Sequence, residues 1–127
     1  MNFDEFMGKV QHRARLADTG EAVRTARVVL QNLAARVSPG ERKDMAAQLP
    51  REVAYYLDQV PASETFNLQT LYDRISKDEG VDKPLAVFHA NAVASVLRDA
   101  LTGGEANEVI EQLPAEFRGL FEWQEQS

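Results

Sequence analysis

Apolar residues recur at helical spacing along nearly the whole chain. One stripe in the first half is formed by Ala22, Ala26, Val29, Leu33 and Val37, which lie on one face of a helix. No stretch alternates with a period of two for long enough to predict a strand. The pattern predicts an all-α protein with about eight helices, at 3–15, 19–37, 39–48, 50–60, 68–79, 83–101, 103–112 and 114–124.

The same stripe occurs again 64 residues later, as Ala86, Ala90, Val93, Leu97 and Leu101. Between 22–57 and 86–121, 11 of 36 aligned pairs are identical, and a shift of 65 aligns the preceding stretch. Such self-similarity indicates an internal duplication. We predict a single domain, 1–127, whose two repeats (1–60 and 66–124) are joined by a short linker. Repeats of this size are small for separate cores, so we expect one bundle with a pseudo-two-fold relation between its halves.

The predicted helix starts carry residues that cap helices. Asn, Asp, Ser or Thr stands there, and in four cases glutamate follows three positions later, as in Ser38 with Glu41 and Thr102 with Glu105. In a capping box the first side chain accepts from the backbone of the glutamate, whose carboxylate accepts from the backbone of the cap. We expect this reciprocal pair of hydrogen bonds at both positions.

The tripeptide Gln-Leu-Pro stands at equivalent places in the two repeats, 48–50 and 112–114. Proline lacks a backbone N–H and suits the first turn of a helix, so each tripeptide predicts a corner between two helices. We expect Gln48 and Gln112 to donate to carbonyls left open at the end of the preceding helix. The motif therefore indicates architecture rather than chemistry.

Four segments carry a resemblance to a known family: FDEF at 3–6, AVRTARVVLQNLAARV at 22–37, AAQLP at 46–50 and GGEANEVIEQLPAEFRGLF at 103–121. In these segments, and over nearly its whole length, the chain resembles a bacterial family catalogued as a domain of unknown function, number 2267. The resemblance implies a small all-helical protein with duplicated halves. It implies no catalytic residues.

Composition and charge narrow the classes of function. The 127 residues are 44% hydrophobic and 27% charged and include no cysteine, which excludes disulfides and thiolate chemistry. The N-terminus does not read as a signal peptide, and no apolar run approaches the roughly 20 residues of a membrane span. We predict a cytoplasmic protein without a membrane partner. Residues 1–63 carry 9 basic and 8 acidic side chains and residues 64–127 carry 5 and 12, so the second half repels nucleic acid.

Catalytic motifs are lacking in the sequence. His12 and His89 stand in no metal-ligand pattern, and no glycine-rich phosphate loop or nucleophile elbow is present. An acidic edge that includes Asp99, Glu105, Glu108 and Glu111 offers a carboxylate metal-binding bundle as an alternative, without the histidines usual in such sites. We predict a non-enzymatic protein with no cofactor and no metal.

The candidate partner-binding residues are Arg13, Arg15, Arg24, Arg27 and Trp123. The arginines surround the junction of the first two helices and could grip phosphate or an acidic protein. The tryptophan is either packed on the core or an anchor for a partner. We therefore predict an interaction module that binds a protein partner or itself. The alternative is a nucleic-acid-associated regulator that uses the Arg13–Arg27 cluster.

Overall fold

The computed structural model describes residues 1–123, and within them it contains eight helices and no strand. The helices are α1 Phe3–Arg13, α2 Thr19–Ala34, α3 Pro39–Ala46, α4 Arg51–Asp58, α5 Leu68–Glu79, α6 Lys83–Ala100, α7 Gly103–Gln112 and a 3₁₀ helix, Ala115–Phe121. The all-α prediction is confirmed. The second and third helices end two or three residues before their predicted ends.

Helices α2 and α6 carry the largest sets of buried residues and pack against each other. In addition, α6 contacts α1, α5 and the 3₁₀ helix, while α2 contacts α1, α4 and α5. Small buried side chains on α6, such as Ala86, Ala90 and Ala94, allow neighbouring helices to approach closely. Since α2 and α6 align with each other at a shift of 64 residues, their contact joins the two predicted repeats.

One cluster of contacting buried residues includes members from every helix. Phe6, Met45, Leu71, Val109 and Phe117 belong to it and come from five different helices. The hydrophobic side chains of the two halves thus pack together. The division into one domain of two repeats and the pseudo-two-fold relation remain predictions. Among the described residues, no helix is long and apolar enough to cross a membrane.

The predicted caps are confirmed at six helix starts. At each, a side-chain oxygen accepts from the backbone N–H three residues later, which satisfies one of the donors that a helix start leaves open. The six caps are Asn2, Asp18, Ser38, Asn67, Asp82 and Thr102. The complete reciprocal box forms at Asn2 and Glu5. At Ser38 and Thr102 the carboxylates of Glu41 and Glu105 do not accept from the backbone N–H of the cap, so the reciprocal box is incomplete.

The eighth predicted helix, 114–124, is wrong in type and length. It is a 3₁₀ helix that ends at Phe121, so Trp123 lies beyond it, and residue 124 lies outside the described residues. Phe117 and Leu120 are both buried, and a 3₁₀ helix places residues three apart on one face. Gly119 between them lowers the preference for an α-helix.

The helices α1 and α5 end in the same way, although one end uses an unusual residue. Gly80 has a φ of 72°, and Arg15, at the equivalent position, has a φ of 55°. The backbone N–H of the next residue donates to the carbonyl five residues earlier in both cases, with N···O distances of 2.9 and 3.1 Å. Glycine adopts this left-handed conformation at little cost, whereas a side chain opposes it. The backbone at Arg15 is therefore strained.

This strain predicts an order of stability for two substitutions. We expect Arg15→Gly to be roughly 0.5–1 kcal/mol more stable than Arg15→Ala, because both remove the guanidinium but only glycine relieves the strain. Urea unfolding measures the difference. Gly80→Ala is the matched control: nothing lies within 4 Å of the added Cβ, so it should cost a similar amount. Equal stability of the two Arg15 variants would show that the backbone there is unstrained.

Candidate functional sites

A groove of about 530 Å³ opens where the ends of α1 and α5 meet the starts of α2 and α6. We call it the central groove, and its lining includes Arg15, Arg24, Thr25, Leu85, Phe88 and His89. Many lining residues are equivalent in the two repeats: Thr25 aligns with His89, Arg24 with Phe88, Glu21 with Leu85, and Leu16 with Val81. The groove therefore lies between aligned parts of the two predicted repeats.

A buried glutamate orients the histidine of the groove. The Nδ1 atom of His89 lies 2.7 Å from Oε2 of Glu79, and both side chains are buried. A carboxylate on Nδ1 fixes the ring and leaves Nε2 as the nitrogen available to a ligand. No sequence pattern linked Glu79 to His89, because Glu79 is the last residue of α5 whereas His89 lies on α6. No helical periodicity relates residues across the break between two helices.

Two of the predicted arginines lie at the central groove. The Nη2 atom of Arg24 donates to the Glu79 carbonyl at 2.8 Å, and the Arg15 guanidinium lies 6.0 Å from the centre of the Phe88 ring. Both arginines are exposed. The carboxylate of Glu21 accepts from a backbone N–H, that of Ala17, at 2.7 Å. Glu21 and Glu79 each have one carboxylate oxygen engaged within the chain, whereas Oε1 of Glu79 has no hydrogen-bond partner among the described residues.

The other two arginines lie elsewhere. Arg13 donates to Ser95 Oγ at 2.9 Å and to Asp99 Oδ2 at 2.6 Å, which ties α1 to α6. Arg27 is exposed and close to Tyr56: burial raises the pKa of Tyr56, and the positive charge of Arg27 partly opposes the rise. The four arginines are therefore divided among three environments.

Trp123 packs on the bundle. Its ring centre lies 5.9 Å from that of Phe88, and no hydrogen-bond partner for its Nε1 occurs in the part of the chain that the structure describes. Trp123 lines a second groove, of about 430 Å³, together with Arg13, Arg98 and Asp99. Phe88 lines the central groove and lies near both Arg15 and Trp123.

Four acidic side chains meet at the contact between α3 and α7. They are Glu41 and Asp44 of α3 and Glu105 and Glu108 of α7, and we call them the carboxylate cluster. One oxygen of each lies within 4.8 Å of one oxygen of every other. The cluster consists of equivalent pairs, since 41 aligns with 105 and 44 with 108. A two-fold relation between the repeats would bring equivalent residues together in this way.

The predicted acidic edge is only partly correct. Glu105 and Glu108 do lie together, but Asp99 binds Arg13 and Glu111 does not belong to the cluster. The acidic partners of Glu105 and Glu108 are instead Glu41 and Asp44 of α3. A duplicated helix that packs against its equivalent brings its own sequence positions together, and the alignment of Glu41 with Glu105 was the signal available for this contact.

The two glutamines of the Gln-Leu-Pro motifs also reach across to the other repeat. Gln48 Oε1 accepts from the backbone N–H of Thr102 at 2.8 Å. Gln112 Nε2 donates to Glu41 Oε2 at 2.7 Å, and its Oε1 accepts from Ser38 Oγ at 3.3 Å. The expectation that they cap their own helices is wrong. They bind the start of the equivalent helix, because the contact between α3 and α7 places that start within reach.

The surroundings of Glu105 raise its pKa to about 7. Burial is the largest cause, followed by the interaction with the Glu41 side chain and the negative charges of Glu41 and Asp44. Burial and like charges both favour the neutral form of a carboxyl group. The glutamate therefore does not form the capping box expected with Thr102 but faces its equivalent across the contact.

Comparison with known families identifies the chain. The model of a family described as "Uncharacterized conserved protein (DUF2267)" matches residues 3–120. The chain belongs to the DUF2267 family. The match covers both repeats and confirms the resemblance found in the sequence. No curated protein matches the chain, so the function of this DUF2267 protein has to be argued from its own sites.

The raised pKa of Glu105 predicts how the stability of this DUF2267 protein depends on pH. Between about pH 4.5 and 7 the folded state binds more protons than the unfolded state, so the free energy of unfolding falls as pH rises. We expect Glu105→Gln to weaken this fall and to be more stable than the original protein at pH 8. Urea unfolding in chelator-treated buffer measures it.

Glu111→Gln, on the same helix but outside the cluster, is the matched control and should keep the original dependence. If Glu105→Gln and the original protein lose stability in parallel between pH 5 and pH 8, Glu105 does not titrate in this range.

Proposed function

We propose that this protein is a non-enzymatic interaction module that binds an acidic segment of a partner protein in the central groove. The observation that carries this proposal is the strained backbone of Arg15 at the rim of the groove. Residues in sparsely populated conformations cluster at binding sites, where the surrounding structure maintains them. The other repeat uses glycine at the equivalent position, which shows that the turn itself does not need an arginine.

The charges at the groove favour a negatively charged occupant. Arg15 and Arg24 are exposed there, and a guanidinium has five N–H donors, of which Arg24 uses one on the Glu79 carbonyl. Arginine binds carboxylates through two parallel hydrogen bonds. Two such groups at one groove suit a segment with two or more aspartates or glutamates.

The apolar part of the groove favours a protein segment over a free anion. Leu85 is 40% exposed at its edge, and Leu16, Val81 and Phe88 are half-buried in its lining. The volume of about 530 Å³ lies within the range of pockets that enclose a ligand. An aliphatic or aromatic side chain between two acidic residues would cover this surface.

The arrangement of the arginines supports a protein partner over nucleic acid. A phosphate backbone needs several basic side chains on one face, whereas Arg13 is paired with Asp99 and Arg27 lies beside Tyr56. A second copy of the chain is a further possible occupant, because residues 64–127 carry 12 acidic side chains. Self-association is therefore one of the outcomes to be measured.

Selection from a displayed library of random 12-residue peptides tests the proposal. We expect the bound peptides to carry two or more acidic residues around leucine, isoleucine or phenylalanine. Arg24→Ala should weaken binding of a selected peptide about tenfold, the loss of one charge-assisted hydrogen bond. Fluorescence of Trp123, the one tryptophan of the chain, should respond because its ring lies against Phe88 of the groove.

Arg15→Gly separates binding from folding, since it removes the guanidinium without the strain and should bind about as weakly as Arg24→Ala. Arg118→Ala is the control, because Arg118 is exposed and lines neither groove. Peptides without acidic bias, or binding by the Arg15 and Arg24 variants as tight as that of the original protein, would contradict the proposal. Sedimentation also tests for a dimer of the chain. If there is one and Arg24→Ala dissociates it, the occupant of the groove is a second copy of the chain instead of a partner protein.

A further inference from the structure

The carboxylate cluster joins α3 to α7 with acidic groups from both repeats. Glu41 and Asp44 lie about one turn apart on α3, and Glu105 and Glu108 hold the equivalent positions on α7. Four ionised carboxylates with oxygens within 4.8 Å of one another repel strongly, most of all where water is excluded. The positive ends of α3 and α7 offset about half a charge each. A large excess of negative charge remains at this contact.

Two of the four carboxylates have buried oxygens without a donor. Glu41 is 5% exposed and Glu105 is 8% exposed, and Oε1 of each has no hydrogen-bond partner among residues 1–123. Gln112 donates to the other oxygen of Glu41. Buried polar atoms in proteins are almost always satisfied, and those that are not call for an explanation such as a bound ion. The unsatisfied oxygens belong to the buried members of the same cluster.

We propose that the carboxylate cluster binds one Ca²⁺ ion, which links the two repeats through α3 and α7. Carboxylate oxygens are the ligands of hard cations, and the cluster offers no nitrogen or sulfur ligand that would favour a transition metal. The exposed side chains of Asp44 and Glu108 border the cluster on the solvent side, which gives the ion a path of entry.

The number of carboxylates favours Ca²⁺ over Mg²⁺. One oxygen of each of the four side chains lies within 4.8 Å of one oxygen of every other, and Ca²⁺, which binds oxygen at about 2.3–2.6 Å, can bridge ligands up to about 5.2 Å apart. Ca²⁺ takes about six to eight oxygen ligands in flexible geometry, whereas Mg²⁺ demands a strict octahedron, keeps several of its waters and is usually held by only one or two carboxylates. A set of four carboxylates therefore suits the larger ion.

A proton shared between Glu41 and Glu105 is the competing explanation for their close approach. Such a proton relieves the repulsion of one pair, but the two further acidic side chains of the cluster, Asp44 and Glu108, still lie beside that pair. It also predicts no saturable binding of a metal ion at pH 8. Calcium binding and proton sharing therefore differ in a direct measurement on the full chain.

Isothermal titration of chelator-treated protein with CaCl₂ at pH 8 tests the proposal. We expect one ion per chain, with a dissociation constant between about 10⁻⁶ and 10⁻⁴ M, and at least tenfold weaker binding of MgCl₂. At 100 times the dissociation constant, Ca²⁺ should raise the midpoint of thermal unfolding by about 10 °C. Neither readout depends on the central groove, whose lining includes no residue of α3 or α7.

The variants distinguish the cluster from general surface charge. Glu108→Gln and Asp44→Asn change exposed side chains and should fold, and each should weaken Ca²⁺ binding at least tenfold. Glu111→Gln removes the same charge from the same helix and should change the affinity less than twofold. The absence of saturable Ca²⁺ binding, equal affinity for Mg²⁺, or equal losses in the control and cluster variants would each overturn the proposal.

Discussion

The packing of α2 against α6 is the contact on which the rest of the molecule depends. The two helices are equivalent in the duplicated sequence, and they begin at one end of the bundle and finish at the other. The segments that lead into them, from the ends of α1 and α5, meet at the central groove. The helices that follow them, α3 and α7, meet at the carboxylate cluster. Both candidate sites therefore arise from a single helix contact.

The two ends of this helix pair differ in how closely the residues that align at a shift of 64 or 65 resemble each other. At the cluster the equivalent residues keep the same chemistry, as Glu41 and Glu105 do. At the groove they differ: Thr25 aligns with His89, and Arg15 aligns with a glycine. A metal ion is spherical and suits matching ligands from both repeats. A peptide has a direction and suits a groove with two unlike sides. The pattern of divergence thus agrees with the kind of ligand proposed for each site.

The sequence predicted those features that depend on neighbouring residues. The side-chain caps at Ser38 and Thr102 follow from the first turn alone and are confirmed, whereas the reciprocal bonds expected from Glu41 and Glu105 are absent. The left-handed Arg15, the 3₁₀ helix at Phe117 and the meeting of His89 with Glu79 depend on tertiary packing, which no local pattern encodes. The self-alignment of the sequence also contained a signal that was not used for prediction. Aligned positions near the contact between α3 and α7 meet in space.

The rigidity of α2 bears on whether the two sites can influence each other. The helix is 16 residues long, so it separates them by about 24 Å. Coupling over such a distance requires an element with two discrete arrangements. Beyond its first turn α2 contains no glycine or proline, and its inner face is packed in the core. A helix held in this way has no evident second arrangement. We therefore expect the groove and the cluster to act independently, each through the residues that line it.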